Sequence, residues 1–392
     1  MKIKVLQLIY GFMVGGSERQ MLQLTKLLQE SGRYDVRIAC LMRTGVLLEE
    51  AERLAGHATE FPIKSFYGPS MLRELRRFSS FLRGGGFDVV HTHDFYSNIF
   101  GMAGAALART PARVASRRET GGLRTERQKF GERCAYRLAH AVVANASAVK
   151  DCLVSEGVPA AKIVTLYNGL DLSRAAASPG AERGELLDAF GLPRTPRRFV
   201  AIVANMQHAV KDHPTFLRAA RRVRDAVPDA AFVLAGEGRL SEELRAYAAE
   251  LGLAEDVFFT GRCERVGDLL SVSDVCVLSS TAEGFSNSIL EYMAAARPVV
   301  ATDVGGAREA IEEGESGYVV APGDDAAMAA RITDLLLDPE RARRMGERGR
   351  RVVEEKFSCE AQLARTEALY ESILEKGSLP RAASALPRRE SA

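Results

Sequence analysis

The chain has 392 residues, enough for two domains, and 46% of them are apolar, so each half can bury its own core. Its 53 basic and 51 acidic side chains leave a net charge of +2, which removes any global reason for a nucleic-acid partner. No apolar run reaches ~18 residues, so no spanning helix is expected, and six cysteines without C-x-x-C spacing argue for a reducing cytosol and against a disulfide framework or zinc site.

The opening stretch "MKIKVLQLIYGF" lacks a small-residue cleavage site and runs into a strand, so it is not read as a signal peptide. Predicted strands in the first half are KVLQLIY (4–10), DVRIACL (35–41), DVVHTH (88–93), ARVASRR (112–118), HAVVANA (140–146) and KIVTLYNG (162–169). Helical patterns separate them. The first begins at Ser17, where Ser17-x-x-Gln20 reads as a capping box. Near-continuous apolar strands alternating with helices imply a parallel sheet covered on both faces. Residues 1–175 are therefore expected to form one Rossmann-like domain. The stretch 176–198, rich in Pro, Gly, Ala and Arg, is expected to be a linker. The alternation restarts with FVAIVAN (199–205), AAFVLAG (230–236), VFFTG (257–261), VCVLSS (275–280), PVVAT (298–302) and GYVVA (317–321), giving a second such domain over 199–357. One more helix is predicted over 358–375. The tail 376–392, poor in large apolar residues, is expected to be disordered.

In doubly wound sheets ligands meet the strand C-termini, where helix N-termini point their amides. The first βα turn, "YGFMVGGSERQ", has Gly15 and Gly16 but no G-x-G-x-x-G; a phosphate site and a plain structural turn both fit it. "AGEGRL" (235–240) lacks the third glycine of a dinucleotide fingerprint. His91 and His93 alternate at a strand end beside Asp94. A metal pair there lacks a third ligand, so His91 reads as structural and His93 as a polar contact in a cleft. Residues 113–137 hold eight basic and three acidic side chains. Such a run is a solvated face, or it meets an anionic acceptor or membrane surface, with Arg117 and Arg118 as the acceptor candidates. In "EGFSNSILE" (283–291), Ser288-x-x-Glu291 reads as another capping box, leaving Glu283 as a loop acid.

The order of these pieces carries more than any one of them. Gly-Gly after the first strand, a histidine at the third strand's end, "NGLD" before the second half, Lys211 in "HAVKDH" and Glu-Gly-Phe with a second glutamate eight residues on resemble the retaining glycosyltransferases of family 4. The resemblance spans roughly residues 3–375 and is strongest over 279–324. It implies the GT-B fold, two doubly wound Rossmann-like α/β domains facing across a cleft, with the terminal helix crossing back onto the first domain. The implied donor is a nucleotide sugar such as a UDP- or GDP-sugar, held mostly by the second domain. The catalytic residues implied are Lys211, Glu283 and His93. Lys211 would neutralise the leaving diphosphate, Glu283 would face the sugar, and His93 would lie near its 6-hydroxyl and the acceptor. Donor contacts are implied for Gly16, Asn205, Arg262, Phe285, Ser286, Asn287 and Glu291. Among them, Glu291 would take the ribose hydroxyls, the backbone of 285–287 the diphosphate, and the Arg262 loop the base. At Asn205 the family commonly has an arginine, so this chain lacks one cation there.

The resemblance further implies a metal-independent, cofactor-free hexosyltransferase in which the leaving phosphate takes the acceptor's proton on the same face. The paired-carboxylate scheme of glycoside hydrolases should not be imposed on Glu283 and Glu291. A glycan or lipid-linked acceptor in surface-polysaccharide or glycolipid synthesis is expected, in the cytoplasm and with peripheral contact to the inner membrane. Two alternatives stay open: a sugar-nucleotide epimerase on the same fold, and a non-catalytic sugar-nucleotide-binding scaffold. Scarcity of histidine weighs against the first, and retention of Lys211, Glu283 and Glu291 against the second.

Overall fold

The computed structural model describes residues 2–13, 15–63, 68–120, 124–195 and 197–376. It divides into two compact units, one of Met1–Gly169 with the chain from Cys359 on, the other of Leu170–Ser358.

The first unit is built on seven strands: β1 (Ile3–Ile9), β2 (Tyr34–Cys40), β3 (Thr59–Glu60), β4 (Val89–Thr92), β5 (Ala112–Arg117), β6 (Ala141–Ala144) and β7 (Ile163–Thr165). All pair in parallel, in the order β3-β2-β1-β4-β5-β6-β7. The crossovers are α1 (Gly16–Glu30), α2 (Leu48–Ala55), α3 (Pro69–Gly85), α4 (Phe95–Ala108), α5 (Glu126–Leu138) and α6 (Ser147–Ser155). Helix α1 buries Met21, Leu24, Thr25 and Leu28, an i, i+3, i+4, i+7 stripe that fixes which face meets the sheet. Asp94 and Thr125 start α4 and α5 as reciprocal capping boxes with Ser97 and Gln128.

The second unit opens with α7 (Arg183–Ala189) and β8 (Arg198–Val203), followed by α8 (His213–Ala226), β9 (Ala230–Ala235), α9 (Ser241–Glu250) and β10 (Val257–Gly261). Then come α10 (Val266–Val272), β11 (Val275–Leu278), α11 (Asn287–Ala294), β12 (Val299–Thr302), α12 (Ala307–Ala310) and β13 (Gly317–Val320). The sheet is again parallel, in the order β10-β9-β8-β11-β12-β13. Helices α13 (Asp325–Leu337) and α14 (Pro339–Lys356) complete this unit, and α15 (Cys359–Lys376) belongs to the first. There Leu369, Tyr370 and Ile373 of α15 join Val5, Val36, Val89 and Val114 in one core cluster.

Two expectations change. Residues 176–198 are not a linker. Leu186 and Leu187 of α7, with Leu192, pack under Phe199, Ala201 and Val233, and Ser178 is held by both oxygens of Asp268 at 2.6 and 2.9 Å. The division falls at Gly169/Leu170 instead, where Leu170 N–H donates to Phe357 O, so the strands entering and leaving the second unit lie side by side. The Ser17/Gln20 capping box does not form. Gly15 is the N-cap, with no side-chain bond, and the Gln20 amide donates to Gly169 O. The tail expected to be disordered lies outside the described residues from 377 on.

Candidate active site

In each sheet the strand order reverses once, between β1 and β4 and between β8 and β11. Diverging crossovers leave a crevice at such a switch point, which is where open α/β sheets bind ligands. Most of the residues singled out from sequence follow these four strands; Arg262 follows β10, and Arg117 and Arg118 lie at the end of β5.

In the second unit, β8 runs into a loop that makes a single 3₁₀ turn at Ala209–Lys211. Asp212 then takes a left-handed conformation, φ 44°, and caps α8 by accepting from Thr215 N–H. The turn presents Lys211, whose ammonium donates to Glu283 Oε1 at 2.5 Å. Ser280 Oγ donates to the same oxygen at 2.7 Å. Both charged side chains are mostly buried, 18% and 15% exposed. The two loops are sewn together further by Ser279 Oγ to Lys211 O (2.8 Å) and Thr281 N–H to Val210 O (2.8 Å). Gly305 clamps the other side. At φ +55° a Cβ there would lie 2.3 Å from Gly284 O, and the next N–H, of Gly306, donates to that carbonyl. Only glycine fits such a left-handed, crowded position without strain.

The helix after this loop starts two residues earlier than a Ser288 cap requires. Ser286 is the N-cap of α11, and Ser288 Oγ donates to Val203 O at 2.9 Å. The Ser288/Glu291 capping box is thus corrected: the serine is spent on β8. Tyr292 OH accepts from Val203 N–H, pinning the same helix to the same strand end. The backbone of 285–287 therefore opens α11 at the switch point, with Phe285 buried against the Phe357 ring at 5.2 Å. Glu291 is half-buried one turn in. Its charge reaches Cys263, whose thiol is pushed up to about 11 by burial, with Glu291 and Asp268 adding to it. That places Glu291 beside the Arg262–Cys263 loop, although Arg262 itself is half-exposed. Asn205 is exposed, its Oδ1 accepting from Gln207 N–H. A cation overlooked in the sequence stands on this loop: Arg239 Nε donates to Gln207 O at 2.9 Å. The Gly-x-Gly of "AGEGRL" explains its approach, since a Cβ at Gly236 or Gly238 would collide with Ala204 O or the Met206 backbone. Those glycines serve contact between the two loops.

In the first unit Gly16 is the first residue of α1. His93 follows β4, 1% exposed, with Nε2 against Gln7 Oε1 and no hydrogen-bond partner for Nδ1. Its ring stacks on His91 at 4.4 Å. His91 is held at both nitrogens, by Tyr370 OH and Ser116 Oγ, each at 2.7 Å. Burial, with nearby cationic Arg118, lowers His91 to about 3 and holds His93 well below the ordinary histidine range, so both are neutral at pH 7. Arg118 donates to Asn168 Oδ1 at 2.7 Å, and burial lowers it to about 10.

Arg117, named as an acceptor contact, is corrected. Its side chain is fully buried, paired bidentately with Glu156 and 3.7 Å from Glu132, which Arg124 also holds. Burial works against its charge, but the Glu156 hydrogen bond and the Glu132 field outweigh that and keep it above its ordinary value. Its charge is consumed inside the unit.

Among the described residues no group of His, Cys, Asp and Glu is arranged to hold a metal, and no helix is long and apolar enough to cross a membrane. The family model described as "Glycosyltransferase Family 4" matches residues 14–174, and "Glycosyl transferases group 1" matches 187–352. The chain is 29% identical to the putative glycosyltransferase EpsD of Bacillus subtilis (strain 168) over 304 residues, 74% of this chain and 77% of that one. It is 25% identical to the Escherichia coli UDP-Gal:alpha-D-GlcNAc-diphosphoundecaprenol alpha-1,3-galactosyltransferase, over 85% of this chain and 88% of that protein. The crystal structure of Anabaena Alr3699/HepE in complex with UDP superposes with a TM-score of 0.84 at 20% identity, covering 94% of this chain and all of that one. Two family models that together span most of the chain, and a fold shared end to end, fix its class: it is a family 4 glycosyltransferase of the GT-B fold, an enzyme of sugar transfer in glycan or glycolipid synthesis.

Proposed function

We propose that the chain is a retaining transferase that moves a hexose from a nucleotide sugar to a hydroxyl of a glycan or lipid-linked acceptor. The observation that carries this reading is the Lys211–Glu283 pair at the β8/β11 switch point, with Glu291 eight residues on beside the Arg262 loop. Breaking the anomeric C–O bond leaves a sugar with oxocarbenium character and a diphosphate anion. Lys211 and the opening turn of α11 stabilise that anion, and one such preorganised donor is worth about 3 kcal/mol. Arg239 supplies the second cation where Asn205 offers none. Glu283 faces the sugar and Glu291 holds the ribose. A leaving phosphate oxygen takes the acceptor's proton, so neither a protein nucleophile nor a metal is needed. Neutral His93 has an unpartnered Nδ1, but that atom is buried, so a contact with a sugar hydroxyl requires the β4 loop to open. The UDP in the Anabaena relative and the UDP-Gal and lipid diphosphate in the E. coli relative's name support a nucleotide-sugar donor and a membrane-borne acceptor.

A thermal-shift panel of UDP-, GDP- and ADP-sugars names the donor without the acceptor. Labelled donor with acceptor is then scored for transfer, for epimerised sugar or for neither. Transfer with retained anomeric configuration is expected. Epimerised sugar, or donor binding with no turnover, overturns the reading.

A further inference from the structure

Helices α3, α4 and α5 lie side by side on one face of the first sheet, α4 packing against both neighbours. The middle helix carries no charged side chain from Phe95 to Ala108. Its outward positions are Tyr96, Ile99, Ala103, Ala106 and Leu107, none of them buried, with Leu107 54% exposed. The flanking helices are basic. Arg73, Arg76, Arg77 and Arg83 point out of α3, and Arg127, Lys129, Arg133 and Arg137 come from α5. The three helices contain only three acids. Glu74 and Glu132 are buried and already paired with arginines, and exposed Glu126 is engaged by Lys129. Leu72 and Phe130, 58% and 59% exposed, stand among these cations.

The second unit handles its arginines differently. On α14, Arg343, Arg344 and Arg350 each have a glutamate one turn away, and on α8 Arg218 and Arg222 share Asp325. Those faces are ion-paired and solvated. The α3–α5 face instead combines an uncharged stripe with two borders on which cations outnumber acids, Arg73 and Arg77 sharing the single Glu74 and Lys129 alone meeting Glu126, the pattern of a surface that settles into the headgroup region of an anionic bilayer. Nucleic acid is a poorer fit, because the central stripe would lie against phosphates.

We propose that the α3–α5 face docks this protein onto an anionic lipid surface. The apolar stripe enters the interface while the arginines of α3 and α5 meet lipid phosphates. This deepens the reading of the acceptor as lipid-linked, for docking brings the first unit to where such an acceptor resides.

The test is flotation of the full chain with phosphatidylglycerol-rich vesicles and with phosphatidylcholine vesicles. Expected is binding to the first alone, weakening as salt shortens the ~8 Å screening length. The quadruple variant Arg73→Gln, Arg76→Gln, Arg127→Gln, Arg137→Gln, which touches no proposed donor contact, should lose about fivefold in affinity per charge, several hundredfold in all. Its thermal shift with sugar nucleotide should match wild type, showing that it is folded. Phe130→Ser should weaken the binding that survives at high salt. Equal flotation of wild type and quadruple variant, or equal binding to both vesicle types, overturns the proposal. So does wild-type self-association in sedimentation that the variant abolishes, because the face would then belong to a second copy. Vesicle binding by a protein that no sugar nucleotide stabilises would uphold the docking face and overturn the donor reading alone.

Discussion

Glu283→Gln separates the two partners of Lys211. In the structure Lys211 donates to Glu283 at 2.5 Å in surroundings that leave 18% and 15% of the two side chains exposed. At an effective dielectric of ~20 the bare attraction is about 7 kcal/mol. Desolvation of both charges offsets most of it. The net value is that of a charge-assisted hydrogen bond, about 1.5–3 kcal/mol. If the lysine must leave Glu283 to reach a diphosphate, the wild type gives up that amount on binding. The glutamine variant keeps the shape and the Ser280 contact but not the competition. Its affinity for nucleoside diphosphate should therefore rise about ten- to a hundredfold, while turnover falls and the fold weakens by about 1–3 kcal/mol. Calorimetric titration with UDP and GDP, beside urea unfolding, reads the two opposite signs. Unchanged or weaker nucleotide binding refutes the exchange of partners.

Three further outcomes follow from the same contacts. Lys211→Ala should cut turnover about 100-fold, and activity should survive EDTA; loss on chelation that magnesium or manganese restores would contradict a purely cationic leaving-group site. Arg117→Met should cost about 3 kcal/mol by stranding Glu156, since Glu132 keeps Arg124 and Tyr136, with turnover per folded molecule intact; a stable variant with a raised acceptor KM would return Arg117 to the acceptor. His213, buried and lowered to about 4 chiefly by desolvation, is neutral when folded, so the unfolded chain takes up its proton first below pH ~6.5. Its contribution should shrink as pH falls, and the stability gap between wild type and His213→Asn should narrow by about 2 kcal/mol from pH 7 to 5; a constant gap means that its pKa is unshifted.

Much of this was legible from sequence, because parallel strands buried on both faces read as apolar runs: twelve of the thirteen observed strands overlap predicted ones. The exception, Thr59–Glu60, is two residues paired only with β2 and has no pattern of its own. Composition misled at 176–198, where Pro, Gly and Arg marked turns correctly but hid Leu186 and Leu187. Local motifs failed where a distant partner won: Gln20 turns to Gly169 and Ser288 to Val203. Lys211 and Glu283 were each singled out, yet their pairing across 72 positions, and the Gly305 contact that fixes Gly284, exist only in the folded chain. Arg117 read as surface charge because its carboxylate partner Glu156 lies 39 residues away, at the C-cap of α6.

The most direct test of the donor site is calorimetric titration of Glu291→Ala with nucleoside diphosphate. A ribose contact predicts affinity about ten- to a hundredfold weaker than wild type, for nucleoside diphosphate and sugar nucleotide alike, since both carry the ribose. Identical affinities for wild type and Glu291→Ala would contradict the placement of the nucleotide beside α11 and the Arg262 loop.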